Sequence, residues 1–480
     1  MVEMDLKNDS NKIALKAGIW YVISSIIVKA MAIFTTPLYT RILSQNDYGL
    51  TSTFIAWYTL LLPVCSLNLA YSIGRAKLDF SDELDEYIGS MQLMAGIFSV
   101  SLSFFATVFK EVLMPITGLT NEMYMLLIIY LLFEPAIVFA QNGFRYRYMY
   151  KQNIAIAWYI TFGQIGVSLV LLLFFHGNGA VLRTIGIVLP VVVLSLYFWF
   201  RRIIGGKLRF RKMFWEYGFS ISSPLIVHSL SLNILSQSDR IFITNLCGEK
   251  ETAIYSLVYT YSLMISVITN AISDGWLPWF HDSYYAGNYA EIRKNVKKII
   301  VLGCYISLAC IAFAPEAIII LGGSNYISGV DCVYPIVIGV TCQFIYTHYV
   351  NIELHLKKTA YVSFGTIVAA ILNVILNAIF IRLYGYEAAA YTTLASYIVL
   401  MCIHYIITKR ILKIKLYQDI FMFAALFITA GVGIILKATY RKDMIRYCCI
   451  IIGCVSFLWI FRKEIVGFIR YGKGKILKKS

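Results

Sequence analysis

Charge is what this chain has little of: Asp, Glu, Lys and Arg make up 14% of its 480 residues, against about 25% in an ordinary soluble domain. So few charges cannot cover a water-exposed body of this size. Long polar loops are missing too, the most extended being Leu78–Tyr87, Arg201–Phe214 and His281–Lys298. A membrane-embedded glycan polymerase or transferase usually keeps its chemistry on a long external loop or a soluble part, so this shortage speaks against an enzyme. Ten cysteines occur with no C-x-x-C spacing, and eight of them lie inside apolar runs as small hydrophobes. Cys247 and Cys332 fall in loops placed outside, where a disulfide requires the two loops to meet. The histidines show no H-E-x-x-H spacing, so no metal site is expected.

What is abundant is apolar sequence, 59% of the chain. Continuous runs fall near 13–43, 47–74, 87–109, 122–143, 153–175, 180–200 and 217–246. A second series falls near 252–279, 296–320, 330–354, 360–383, 387–408, 418–437 and 445–461. A spanning helix takes roughly 20 apolar residues, and barrel strands would alternate over about 10, so the runs predict about 14 transmembrane helices. Basic residues then orient the bundle. With the N-terminus in the cytoplasm, 31 of the 42 Lys and Arg fall inside and 9 outside, leaving Lys29 and Arg240 within helices. This gives an all-α polytopic membrane protein, N-in and C-in. The +16 net charge follows from this topological bias and implies no nucleic-acid partner. One loop dissents: Lys437, Arg441, Lys442 and Arg446 collect on the nominal outside.

The two halves of the chain echo each other. Thr40–Ser52 and Thr244–Ser256 align at an offset of 204, and the turns Gly177–Ala180 and Gly385–Ala388 at 208. Six helices separate the copies, so both start on the same side and the repeat is parallel, its axis along the membrane normal. The expected organisation is a six-helix lobe over 1–202, an amphipathic cytoplasmic linker over 203–215, a second lobe over 216–410, and helices 13–14 with a basic tail over 411–480. In the linker, apolar residues alternate with four Lys and Arg, the pattern of a helix lying on an anionic leaflet.

Ala370–Tyr397 resembles the helix 11–12 hairpin of bacterial polysaccharide flippases in the multidrug/oligosaccharidyl-lipid/polysaccharide exporter superfamily. The resemblance rests on Asn373, Asn377, the Tyr384-Gly385 turn, Ala388, Ala389 and Thr393. Thr40–Ser44 with Tyr48-Gly49 is similar to that family's first hairpin, and Ser238-Asp239-Arg240 with Ile254–Ser256 to its seventh and eighth helices. It covers nearly all of 1–410. Arg382 stands where a Pro usually precedes the turn, and Glu387 replaces a frequent Gly; both lie at the outer mouth and leave the fold undisturbed. Helices 13–14 are common in branches that move lipid-linked precursors, whereas the drug-extruding branch usually stops at twelve.

Ionisable residues inside the runs are the candidate site. Lys29 lies mid-run, where an ionised amine costs about 2.5–3.5 kcal/mol even on the lenient insertion scale. It either faces an aqueous cleft or snorkels or pairs with Glu134. Arg240 is a candidate phosphate ligand or an interlobe ion pair, and Arg75 stands near the inner mouth. Asp239, and Glu134 before Pro135, are candidates for ion coupling or charge balance. Asp274, Glu316 and Glu353 lie near helix ends and are expected at the interface. The acidic run Ser81–Glu86 looks like a D-x-D site but fits a solvated loop face better. Together these features imply a non-enzymatic flippase of the cytoplasmic membrane. It would move a polyprenyl-diphosphate-linked oligosaccharide outward for cell-surface polysaccharide such as lipopolysaccharide or capsule, with Lys29, Arg240 and Arg75 on the diphosphate. No cofactor is expected beyond H+ or Na+ coupling. Membrane lipid, a polymerase and glycosyltransferases are the expected partners, and a drug/cation antiporter is the rival reading.

Overall fold

The computed structural model describes the backbone of residues 2–464, and side chains from Gly18 onward apart from Ile19 and Val22. The basic tail expected at the C-terminus lies outside these residues from 465 on. Among the described residues there are 14 helices long and apolar enough to cross a membrane. The first six are α1 (Val2–Ile42), α2 (Gln45–Cys65), α3 (Leu84–Val108), α4 (Asn121–Tyr146), α5 (Tyr150–Phe174) and α6 (Gly179–Ile204). The next six are α7 (Lys212–Leu246), α8 (Glu249–Tyr285), α9 (Tyr289–Ala312), α10 (Ser324–His355), α11 (Thr359–Tyr384) and α12 (Glu387–Ile411). α13 (Asp419–Ala438) and α14 (Asp443–Ile460) pack on α9. Lipid-length apolar runs thus become helices as expected, because helices satisfy their backbone groups internally.

Local chemistry sets the ends and breaks. Ser44, Thr120 and Asn178 cap α2, α4 and α6, their side-chain oxygens accepting from the amides of Asp47, Met123 and Val181. Pro135 interrupts α4 after Glu134, since a proline amide cannot donate back to the preceding turn. The internal repeat reappears as matched irregularities. α3 and α9 both break at a phenylalanine, Phe109 and Phe313, 204 positions apart. Each break leads into a short helix, Lys110–Thr117 and Ala314–Gly322, and then a left-handed glycine, Gly118 or Gly323. The turns before α5 and α11 likewise share a left-handed residue, Tyr148 and Lys357.

One expectation fails. Residues 203–215 are not a helix on the leaflet: Ile203 and Ile204 end α6, Gly205–Arg211 is turn and extended chain, and α7 starts at Lys212. The Lys207 carbonyl lies so close to Gly89 that a β-carbon there would come within 2.0 Å of it, so the linker is held against α3 at that point.

The lobes meet along α2 and α7. With the cytoplasmic side taken from the charge asymmetry, Thr53 and Thr244 hydroxyls lie 2.6 Å apart at the outer end, and Gln45 donates to the Asn325 carbonyl at 2.9 Å. Midway, Asn233 donates to the Thr59 carbonyl at 2.6 Å. At the inner end Asn68 donates to the Leu225 carbonyl at 2.9 Å and to Ser229 at 2.7 Å. A β-carbon on Gly49 would come within 1.8 Å of the Glu249 carbonyl, so only glycine allows this approach of α2 to α8.

Candidate functional site at the lobe seam

Lys29 shares a stripe of α1 with Thr36 and Thr40, seven and eleven positions on. At the outer end this stripe is buried against the second lobe, where Thr40 donates to the Leu321 carbonyl at 2.6 Å. At the level of Lys29 it is exposed. Among the described residues Lys29 has no carboxylate within 4.0 Å, so the structure does not bring it to Glu134.

Glu134 sits at the α4 kink with its Oε2 buried and without a hydrogen-bond partner. Stacked rings of Tyr58 and Tyr130, 4.4 Å apart, mark the first-lobe interior. Arg183, counted among the outer loop charges in the sequence, is inside α6, 9% exposed, with Nη1 buried and unpartnered. Its guanidinium lies 4.0 Å from the Tyr39 ring centre and 5.1 Å from that of Tyr48.

The second lobe is furnished differently. Asp239, 1% exposed, accepts from Tyr255 at 2.5 Å, Asn377 at 2.7 Å and Thr393 at 2.8 Å. Asn373 extends the network to Ser238 and Thr393, and Thr392 donates to Asn377. Of the residues that carried the hairpin resemblance, Asn377 and Thr393 therefore meet this carboxylate directly and Asn373 braces both. Arg240 turns away from its neighbour, as adjacent helical positions do. It donates to Gln237 at 2.7 Å and the Ser236 carbonyl, and lies 4.6 Å from the Tyr259 ring centre.

Glu353 lies in the last turn of α10, near a helix end as expected, but inside the protein. It is 0% exposed and meets the equally buried His404 Nδ1 at 3.0 Å, a pairing of residues 51 positions apart that no local spacing reveals. His281 and His355 also face each other, Nδ1 to Nδ1 at 2.8 Å.

At the cytoplasmic end Arg75 is exposed and pairs with Asp79 at 3.0 Å, which also accepts from Tyr217 of α7 at 2.5 Å. The acidic run is a clamp more than a free loop face: Glu83 and Glu86 bind Arg211, and Asp85 binds Arg147. The dissenting outer loop is explained as well. Lys437 pairs with Asp331 at 3.4 Å, and Arg446 with Glu316 at 2.5 Å and Asp443 at 2.9 Å, so two of its four cations are neutralised where they stand. Cys247 and Cys332 are both free.

Comparison with curated proteins finds no match. Among solved structures, "Lipid II flippase MurJ, inward closed conformation" superimposes with a TM-score of 0.68 at 15% identity, covering 93% of this chain and 100% of that one. An inward-facing multidrug resistance MATE family transporter of the MOP superfamily gives 0.58 at 13%, covering 87% and 96%. An outward-facing multidrug resistance MATE family transporter of the same superfamily gives 0.54 at 12%, again covering 87% and 96%. At such identities these likenesses establish the fold, with its flippase and transporter members. The sequence model described as "Polysaccharide biosynthesis protein" matches residues 14–283, more than half of the chain. This fourteen-span chain belongs to the polysaccharide biosynthesis protein family.

Proposed function

We propose that the protein is a flippase of the cytoplasmic membrane that carries a polyprenyl-diphosphate-linked oligosaccharide to the outer leaflet by alternating opening of its two lobes. The supporting observation is Lys29: a cation at membrane depth, on the stripe of α1 that faces the other lobe, exposed and without a carboxylate among the described residues. A diphosphate headgroup cannot cross about 30 Å of hydrocarbon unaided, while its lipid tail need never leave it. A cation on the seam meets the first need and a seam open to lipid the second. Arg75 at the inner mouth is the entry contact. Arg240 tunes the wall from within the second lobe, because its recorded partners are all there.

Asp239 is the candidate for ion coupling. It is held by three neutral donors and no cation, so it binds an exchangeable H+ or Na+ without breaking an ion pair. Glu134, with an unpartnered oxygen, is the second candidate. The membrane potential contributes in addition: two negative charges moving outward gain about 4.6 kcal/mol per 100 mV, at roughly 2.3 each.

The test is flipping of a labelled polyprenyl-diphosphate disaccharide in reconstituted vesicles, with pH, Na+ and potential varied independently. Lys29→Ala is expected to abolish flipping and Lys29→Arg to retain part of it, since charge survives while geometry changes. Full activity of Lys29→Ala removes the diphosphate role. A wild type that responds to potential alone removes ion coupling.

A further inference from the structure

We propose that Arg183, caged by Tyr39 and Tyr48, is a second anion-binding station at the outer end of the seam, uncovered when the lobes part there. The inference rests on the flippase reading and deepens it, naming where the anionic part of the cargo is held before release.

The guanidinium is the starting point. Arg183 sits one turn into α6 from its outer end, is 9% exposed, and makes no ion pair or side-chain hydrogen bond among the described residues. A buried guanidinium is ordinarily matched by a carboxylate, because its five donors lose water on burial. Here the compensation is aromatic: ring centres at 4.0 Å and 5.1 Å hold the cation by its attraction to their faces. Such faces leave the planar donor edge of arginine free, and that edge suits the paired oxygens of a phosphate or carboxylate.

The cover comes from the other lobe. Tyr326, 1% exposed, packs edge-on to Tyr48 at 6.2 Å, and its hydroxyl is buried without a partner. Two unsatisfied polar groups, one from each lobe, thus converge on Tyr48, where both can donate to one anion as the lobes begin to part. Tyr39, Leu43 and Tyr48 belong to the second lobe's core cluster in this closed arrangement, so parting the outer end uncovers the cage. Asp47, the acid near the start of α6, is engaged with Ser44 and lies beyond ion-pair distance of Arg183.

Position gives the station its place in the cycle. Tyr39 lies ten residues beyond Lys29 on α1, about 15 Å further out at 1.5 Å per residue. An anionic group moving from Lys29 to Arg183 passes from the middle of the membrane to its outer mouth. Tyr39 and Tyr48 add flat apolar faces on which a sugar ring stacks. The ligand chemistry is an oxyanion, supplied by the carrier diphosphate or by an acidic sugar of the glycan.

The experiment measures binding to the full chain in nanodiscs of two probes: a polyprenyl diphosphate with no sugar, and a soluble disaccharide bearing a glucuronate. Arg183→Met is expected to weaken at least one probe by about tenfold or more, and Arg183→Lys by less, as for loss of a charge-assisted hydrogen bond. Loss confined to the diphosphate assigns the phosphate, and loss confined to the disaccharide assigns the sugar acid. Tyr326→Phe removes a hydroxyl that is unpaired in the closed state, so it spares the fold, and it is expected to weaken the same probe. It carries the test if Arg183→Met fails to fold. Wild-type affinity in Arg183→Met, or in Tyr326→Phe when that variant stands in, overturns the station and leaves the flippase reading intact, which Lys29→Ala measures with the diphosphate probe. A wild type that binds neither probe overturns both.

Discussion

The two lobes repeat one helical plan but treat their buried charged residues differently. In the second lobe Asp239 is surrounded by three donors, and Glu353 meets His404. In the first lobe Glu134 Oε2 and Arg183 Nη1 are both buried without partners, and Lys29 stands unpaired among the described residues. A satisfied network fixes one arrangement of its helices, whereas an unsatisfied group is in a higher free-energy state that a ligand or proton can relieve. The difference teaches a division of labour: the second lobe answers its buried charges within itself, although the Tyr326 hydroxyl and His348 stay unpartnered there, and the first presents charges that wait for a partner.

The largest effect that can break this comparison is at Asp239. Asp239→Leu strands the Tyr255, Asn377 and Thr393 donors, each at roughly 1–3 kcal/mol, so a loss of about 3 kcal/mol or more is expected. Glu134→Leu removes a carboxylate with an unpartnered buried oxygen and is expected to be far milder. Thermal unfolding of the two variants in the same detergent measures both, and equal losses would end the distinction.

Next in size is the test of whether the lobes separate as bodies. Gly49→Val drives a side chain into the Glu249 carbonyl and is expected to spread the outer end of the seam. In a background without native cysteines, a cysteine replacing the fully buried Thr53 is then expected to react with an impermeant thiol reagent only when Gly49→Val is present. Labelling that is the same with and without the wedge would mean that the seam does not open there.

The smallest effect lies in the inner clasp between lobes. The hydroxyl of Tyr217, and then the Arg75 guanidinium, hold the Asp79 carboxyl below its usual range. A depressed carboxylate stabilises the fold in full above its unfolded value, near pH 3.9, and loses that contribution as pH falls through the lower folded value. The clasp is therefore expected to be insensitive to pH from neutrality down to about 4. Asp79→Ala should shift the unfolding midpoint slightly at neutral pH and not at all at the acid end. Because the pair is exposed, salt weakens it further.

The legibility of this protein differs by residue. Lys29, Glu134 and Asp239 are conspicuous because each interrupts a long apolar run, where a charge needs a reason. Arg183 escaped because it lies three residues inside its apolar run and is indistinguishable, in a count of loop charges, from a topological marker. Its burial and its tyrosine cage come from α1 and α2, more than a hundred positions earlier. Glu353 escaped likewise, since nothing near it in sequence announces His404. The linker reads as a helix in sequence because alternating basic and apolar residues suit a chain held on α3 as well as a helix lying on lipid.

The sequence by itself determined the solvent, the fourteen spans, the duplication and the orientation. These depend on local hydropathy and on charge per loop, and lipid enforces them segment by segment. Only the tertiary structure decided which charges are answered. The approach of α2 to α8 at Gly49, the donors gathered on Asp239 and the rings around Arg183 join residues far apart in sequence. The free energy of a buried ion depends on the groups within a few ångströms of it, and the fold, not the local sequence, brings those groups together.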